Sequence, residues 1–144
     1  MRKNMIPVKE FFTGGKAIFT IEVPETFQRE FKCNPHYTYR IRNKNDNFLI
    51  ELLTGPNNTK SYTSIGLFDI NSGCVKLTGR VSEDSWGVRL FRRVMARIFE
   101  NAPEAITSSG FDVHHEGRCG KCGKRLSVPE SIRLGLGRKC RLGA

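Results

Sequence analysis

Three cysteines and a histidine pair stand near the end of the chain, in the order His114-His115-x3-Cys119-x2-Cys122-x17-Cys140. Between Cys122 and Cys140 the sizeable apolar groups are Leu126, Ile132, Leu134 and Leu136. A core of that size does not stabilise itself, so the segment needs another source of order. The cysteine spacing supplies one. Two thiolates two residues apart can face a single ion, and Gly120 and Gly123 let the backbone curl beneath it. Cys140 returns from a distant turn as a third ligand, and His115, or failing that His114, is the expected fourth. Such donors suit Zn2+ in a closed, tetrahedral, structural site. Metal binding then contributes folding energy on the order of 10 kcal/mol. With four positions filled, no place is left for a water nucleophile.

A lone Cys-x2-Cys pair also fits redox chemistry, but no strand-helix pattern of a redox domain flanks this one. Cys33 and Cys74 lie far from the cluster and are expected to be free thiols. Within the x17 interval, Ser127-Val128-Pro129-Glu130 has the pattern of a capping box, with Ser127 at N-cap and Glu130 at N3. A short helix should follow to about Leu134, where Gly135 ends it in a left-handed conformation. The Gly135–Lys139 stretch then turns the chain back towards Cys140.

Upstream, the hydrophobic period is two. Ala17, Phe19, Ile21 and Val23 share one face of a strand over 16–23, and Tyr37, Tyr39 and Ile41 share one face of a strand over 36–42. Further strands are expected at 48–53, 62–70 and 74–78, with a helical turn at 26–32. The links between successive strands are short and rich in Asn and Gly, which predicts an antiparallel meander. From about Asp84 to Asn101 the period becomes helical. Val88, Phe91, Val94, Met95, Ile98 and Phe99 form an apolar stripe, and Arg89, Arg92, Arg93 and Arg97 cover much of the opposite side. The fold class is therefore α+β: an antiparallel β-meander packed by one amphipathic helix, plus a C-terminal structural zinc module. The expected division is a sheet-and-helix domain at 1–102, a linker at 103–112 and the zinc module at 113–144.

The chain carries 24 Lys and Arg against 14 Asp and Glu, a formal net charge of +10. Residues 103–144 have eight cations and four anions, so the C-terminal module is the most densely cationic part. Such an excess favours polyanions, nucleic acid above all. No run of about 20 apolar residues is present, so no membrane span is expected. The free thiols and the start of the chain, which has no signal-peptide pattern, point to the cytoplasm.

The run His115–Leu126, then Pro129-Glu130-Ser131-Ile132, Gly135-Leu136-Gly137 and Cys140, resembles the C-terminal zinc-finger-like module of a family of small phage- and plasmid-encoded proteins of unassigned function. The stretches at 12–20, 37–39 and 53–57 resemble segments that accompany it. The resemblance implies metal ligands at Cys119, Cys122, Cys140 and His115. Where a proline is often found before the last cysteine, this chain has Arg138-Lys139, which adds charge and leaves the ligand set intact.

The leading functional expectation is a basic, zinc-stabilised protein that associates with nucleic acid or a nucleoprotein complex. Arg118, Lys121, Lys124, Arg125, Arg138 and Lys139 would contact phosphates, with Arg40 and Arg42 extending the surface. No recognition-helix pattern is present, so weak sequence specificity is expected. The alternative is an inhibitor or adaptor that docks on a host protein of defence or replication. A metal-dependent nuclease is the third possibility, because Asp112-x-His114-His115-Glu116 loosely resembles part of such a site. The cysteines compete for those histidines and no constellation of acid, base and nucleophile is evident, so the chain is not expected to be an enzyme.

Overall fold

A computed structural model of the chain describes residues 3–4, 6–55, 61–78 and 81–142. Five strands run consecutively: β2 (Lys16–Glu22), β3 (His36–Lys44), β4 (Asn47–Leu53), β5 (Tyr62–Phe68) and β6 (Val75–Leu77). They pair antiparallel in chain order, as short links require. Two further strands extend the β2 edge. These are β1 (Lys3–Asn4) and β7 (Asp112–His115), which complete a seven-stranded sheet of order β1-β7-β2-β3-β4-β5-β6. A register shift between Ile50 and Glu51 marks a bulge in the β4–β5 ladder.

The alternation in the strands separates the two faces. Ala17, Phe19, Ile21, Tyr39, Ile41 and Ile50 are fully buried on one side. Helix α3 (Trp86–Phe99) covers that side with Val88, Leu90, Phe91, Val94, Met95 and Ile98. Each of these large side chains contributes about 1.5–3 kcal/mol on full burial. The approach is close enough that a Cβ on Gly87 would stand 2.7 Å from Leu52 Cδ2. At the same point the buried Tyr39 hydroxyl donates to the Gly87 carbonyl at 2.6 Å. The helix begins at Trp86, two residues later than expected, with Ser85 at N-cap. Its arginines are engaged within the chain: Arg89 lies over the Trp86 ring, Arg93 over Phe111, Arg97 pairs with Glu100, and Arg92 donates to the Val75 carbonyl.

Two short helices frame β2. Helix α1 (Lys9–Phe12) buries Phe11 and Phe12 completely, and α2 (Glu25–Phe31) follows β2. The expected linker at 103–112 is a structured part of the fold. It carries α4 (Glu104–Ser108) and Phe111, which is 5% exposed in the core, and it leads directly into β7. Because β7 pairs with β2 from Phe19–His115 to Glu22–Asp112, a boundary at 112/113 would cut through the sheet. Beyond β7 come α5 (Pro129–Leu134) and α6 (Arg138–Arg141). Among the described residues no helix is long and apolar enough to cross a membrane.

Candidate metal centre and nucleic-acid interface

The segment after β7 turns back on itself as a small hairpin. Arg118 and Arg125 form an antiparallel bridge, with the Leu126 N–H donating to the Gly117 carbonyl and the Cys119 N–H to the Lys124 carbonyl, both at 2.8 Å. Gly123, at φ 79°, closes the turn in a conformation that L side chains rarely adopt. This turn directs the backbone N–H groups of Lys121 and Cys122 at the Cys119 sulfur, at 3.4 and 3.5 Å. Helix α5 ends at Gly135 in the left-handed region, φ 72°, and α6 then delivers Cys140. The N-cap of α5 is Val128, with Pro129 at the first helical position. Ser127 makes no cap, and Glu130 pairs with Arg133, so the expected capping box is not formed.

The Sγ atoms of Cys119, Cys122 and Cys140 lie within 4.8 Å of one another, a span that one ion with bonds of about 2.3 Å can bridge. The chemistry of the donors fits a cation. Burial raises the Cys119 thiol, but backbone N–H groups of Gly137, Cys122 and Lys121, with the Cys122 thiol, outweigh it and hold the group down at about 7. Cys140 is pushed up to about 11, first by burial and then by its thiol contacts with Cys119 and Cys122 and their charge. Cys119 is thus favoured as a thiolate, while Cys140 resists ionisation until a positive charge arrives. Cys33 and Cys74 stand apart from it as free thiols.

The histidine expected as fourth ligand does not join this group. His115 is 2% exposed on the sheet face that packs against Phe11. Its Nδ1 accepts the Gly117 N–H at 2.7 Å, which makes Nε2 the protonated nitrogen, and Nε2 donates to the Ile132 carbonyl at 2.6 Å. Both nitrogens are occupied in joining β7 to the hairpin and to α5. His114 points to the other face, where its Nε2 lies 3.5 Å from Glu22 Oε1. The alternation of Phe111, Val113 and His115 against Asp112 and His114 is a strand signal that could have separated the two histidines.

The module is fastened to the sheet domain through its backbone. Gly120 accepts from the Lys16 N–H at 2.8 Å and donates to the Gly135 carbonyl at 2.9 Å. A Cβ on Gly120 would lie 2.5 Å from the Phe11 carbonyl oxygen, and one on Gly14 would lie 2.6 Å from the Gly120 carbonyl oxygen. Cys119, Leu126 and Leu136 form their own buried cluster, against which Val8 packs.

This docking places Arg118 and Arg125 beside the sheet face that α3 leaves uncovered. They line a cavity of about 600 Å³ with Thr20, Thr38, His36, His114 and Tyr62 among its other walls, together with the carboxylates Glu22 and Glu116. The Thr20 and Thr38 hydroxyls are 2.7 Å apart on its floor. Arg118 also borders an adjoining cavity of about 330 Å³ with Lys16, Arg40 and Arg42. Arg40 and Arg42 both pair with the buried Glu51, at 2.9 and 2.8 Å, and the Arg40 guanidinium lies 4.1 Å over the Tyr62 ring. Part of their charge is therefore neutralised internally. Lys124, Arg125, Arg138 and Lys139 line a separate cavity of about 330 Å³ that Cys122 and Cys140 share. Lys121 is exposed and lines none of these.

In comparison with known proteins, the model of a family of unknown function (DUF6011) matches residues 111–142. The match covers β7 and the whole cysteine module, and agrees with the resemblance to a family of unassigned function. No curated protein and no solved structure matches the chain.

Proposed function

We propose that this chain is a nucleic-acid-binding protein in which a structural Zn2+ at Cys119, Cys122 and Cys140 holds a basic hairpin over an open sheet face. The observation that carries the reading is the position of Arg118 and Arg125. They are bridge partners within the hairpin, and both line the cavity that also contains Tyr62 and the paired threonines. Guanidinium groups beside a shallow polar floor suit a phosphate backbone, and the Arg40–Tyr62 stack offers a flat surface for an unpaired base. A single strand is the form that can present both at once. The reading is one of binding and not of catalysis, and thiolate ligands are consistent with a reducing compartment such as the cytoplasm.

The test is fluorescence anisotropy with labelled 20-nucleotide single strands of DNA and RNA, at salt concentrations from about 50 to 200 mM. Each phosphate contact on a single strand contributes about 0.7 to the slope of log K against log salt. Replacing both Arg118 and Arg125 with Ala should therefore flatten the slope by roughly 1.4. An unchanged slope would refute this interface. A second reading, docking on a protein, draws on Phe31, which is 41% exposed and packs with Phe27 and Trp86 outside that cavity. Recovery of one protein from host lysate that survives nuclease and is lost on changing Phe31→Ser would favour it.

A further inference from the structure

We infer that the ion held by Cys119, Cys122 and Cys140 keeps its fourth coordination position for a small anion, drawn from the cationic cavity that Cys122 and Cys140 line. This rests on the metal-binding part of the proposed function.

The donor count leads to it. The three thiols form a group that includes no other His, Cys, Asp or Glu among the described residues. The residues outside the description contain none of these four types. His115 is adjacent in sequence, but a metal taking either ring nitrogen would displace the hydrogen bond that nitrogen makes: at Nδ1 the one that sets the hairpin on β7, at Nε2 the one that fixes α5 to it. Both bonds are short, the Gly117 bond is buried and the Ile132 bond partly so, and the exchange is unfavourable. Zn2+ and similar ions take four ligands, so a three-thiolate set is one short.

The open position has a direction. Cys119 is fully buried, with backbone N–H groups directed at its sulfur, whereas Cys122 is exposed and Cys140 half-buried. These two line the cavity of about 330 Å³ whose other walls include Lys124, Arg125, Arg138 and Lys139, with no acidic side chain. Three thiolates and one divalent ion carry a net charge of −1, and four cations surround the side from which a fourth ligand enters. That field draws a small anion to the metal. Arg138 and Lys139 sit immediately before Cys140, so the ligand and the charges that serve it are placed by the same turn of α6.

The first measurement is X-ray absorption on the full chain loaded with one equivalent of zinc. Three sulfur neighbours and one light atom, without the outer-shell scattering of imidazole, is the expected result. An imidazole signature or a fourth sulfur would overturn the inference. The second uses the Co2+-loaded protein and sodium azide as the probe anion. Saturable change in the visible d–d bands is expected, and the same titration of a Lys124→Ala/Arg138→Ala/Lys139→Ala variant should need roughly tenfold more azide. Bands that ignore azide, or a variant that titrates like the parent, would overturn it. His115→Gln should leave the Co2+ spectrum in place; should that variant fail to fold, the absorption measurement on the unmodified chain decides alone. Failure to bind any metal would instead refute the metal-binding proposal itself, and neither measurement involves nucleic acid.

Discussion

Changing Gly120→Ala tests whether the cysteine module is fastened to the sheet domain or merely follows it. The position lies between two ligands, yet its φ is not in the left-handed region, so the hairpin itself can accept a side chain. The obstacle comes from α1. The new Cβ would meet the Phe11 carbonyl oxygen at 2.5 Å and the Phe11 ring at 2.6 Å. Phe11 is fully buried and stacks edge-on with Phe12 and Phe19, so its ring has little room to retreat. The backbone oxygen has still less, because it belongs to α1.

Overpacking of this kind costs about 1–3 kcal/mol, and contact with backbone places it towards the upper end. Relief by separation would stretch the Lys16 N–H bond to Gly120, at about 1 kcal/mol more. With a urea m-value of about 1–3 kcal/mol/M, the unfolding midpoint of the metal-loaded protein should fall by roughly 1 M. The control is Gly137→Ala, where a Cβ meets nothing within 4 Å; it should stay within about 0.5 kcal/mol of the parent. Metal content, read by mass spectrometry, should remain one ion per chain in both. A Gly120→Ala midpoint equal to that of Gly137→Ala would refute the packing argument and return the module to the status of a tethered appendage.

Three further changes probe other links. Tyr39→Phe removes the buried hydroxyl that satisfies the Gly87 carbonyl and should cost about 1–3 kcal/mol by urea unfolding, while a cost near zero would show that water reaches that carbonyl. Glu51→Gln leaves Arg40 and Arg42 without their shared counter-charge. Stability should fall by about 1–3 kcal/mol because Arg42 is partly exposed, and affinity for a single-stranded oligonucleotide should rise at low salt; weaker binding would remove Arg40 and Arg42 from the interface. Stripping the metal with a chelator should raise amide exchange from Gly117 to Leu126 and in β7, with little change in β3 and β4. Equal protection in β7 with and without metal would show that the hairpin is ordered by its packing alone.

Much of the sheet could be read from side-chain alternation, because strands with one covered face must repeat every two residues. The five meander strands and the amphipathic helix lie where period and turn chemistry put them. What escaped was set by long-range pairing. The stretch 103–112 contains Pro103, Ser108, Ser109 and Gly110, whose composition suggests a linker, yet Phe111 fills a core site and Ile106 is buried beside it. Only the arrival of β7 next to β2 makes that burial possible, and no local pattern announces a strand pairing nearly a hundred residues back. The cysteine triad was legible because metal ligation fixes residue type and spacing together. His115 misled for the same reason: near a Cys-x2-Cys pair a histidine looks like a ligand, and only its strand alternation reveals a side chain turned towards Phe11 and Ile132. Ser127 misled because Pro129 starts the helix at the first position its missing N–H allows, which leaves Val128 at the cap.

The proposed metal site and the sheet face are parts of one arrangement. Arg118 immediately precedes Cys119 and Arg125 lies one residue before the buried Leu126, so each arginine adjoins a member of the small core that a metal at the cysteines would close. Their bridge holds them across the hairpin, the Lys16 N–H bond to Gly120 fixes that hairpin against β2, and the Gly120 N–H bond to Gly135 ties it to the end of α5. Lys16 starts the strand whose Ile18 and Thr20 line the same cavity. Loss of the ion therefore does more than unravel a short C-terminal segment. It frees the two guanidinium groups from a set position over Thr20, Thr38 and Tyr62, and each must then give up conformational entropy on binding that the folded hairpin has already given up. The consequence is a coupling that runs both ways: an oligonucleotide seated under Arg118 and Arg125 should lower the dissociation constant for the metal, read by equilibrium competition with a chelator, by the same factor by which metal tightens its binding.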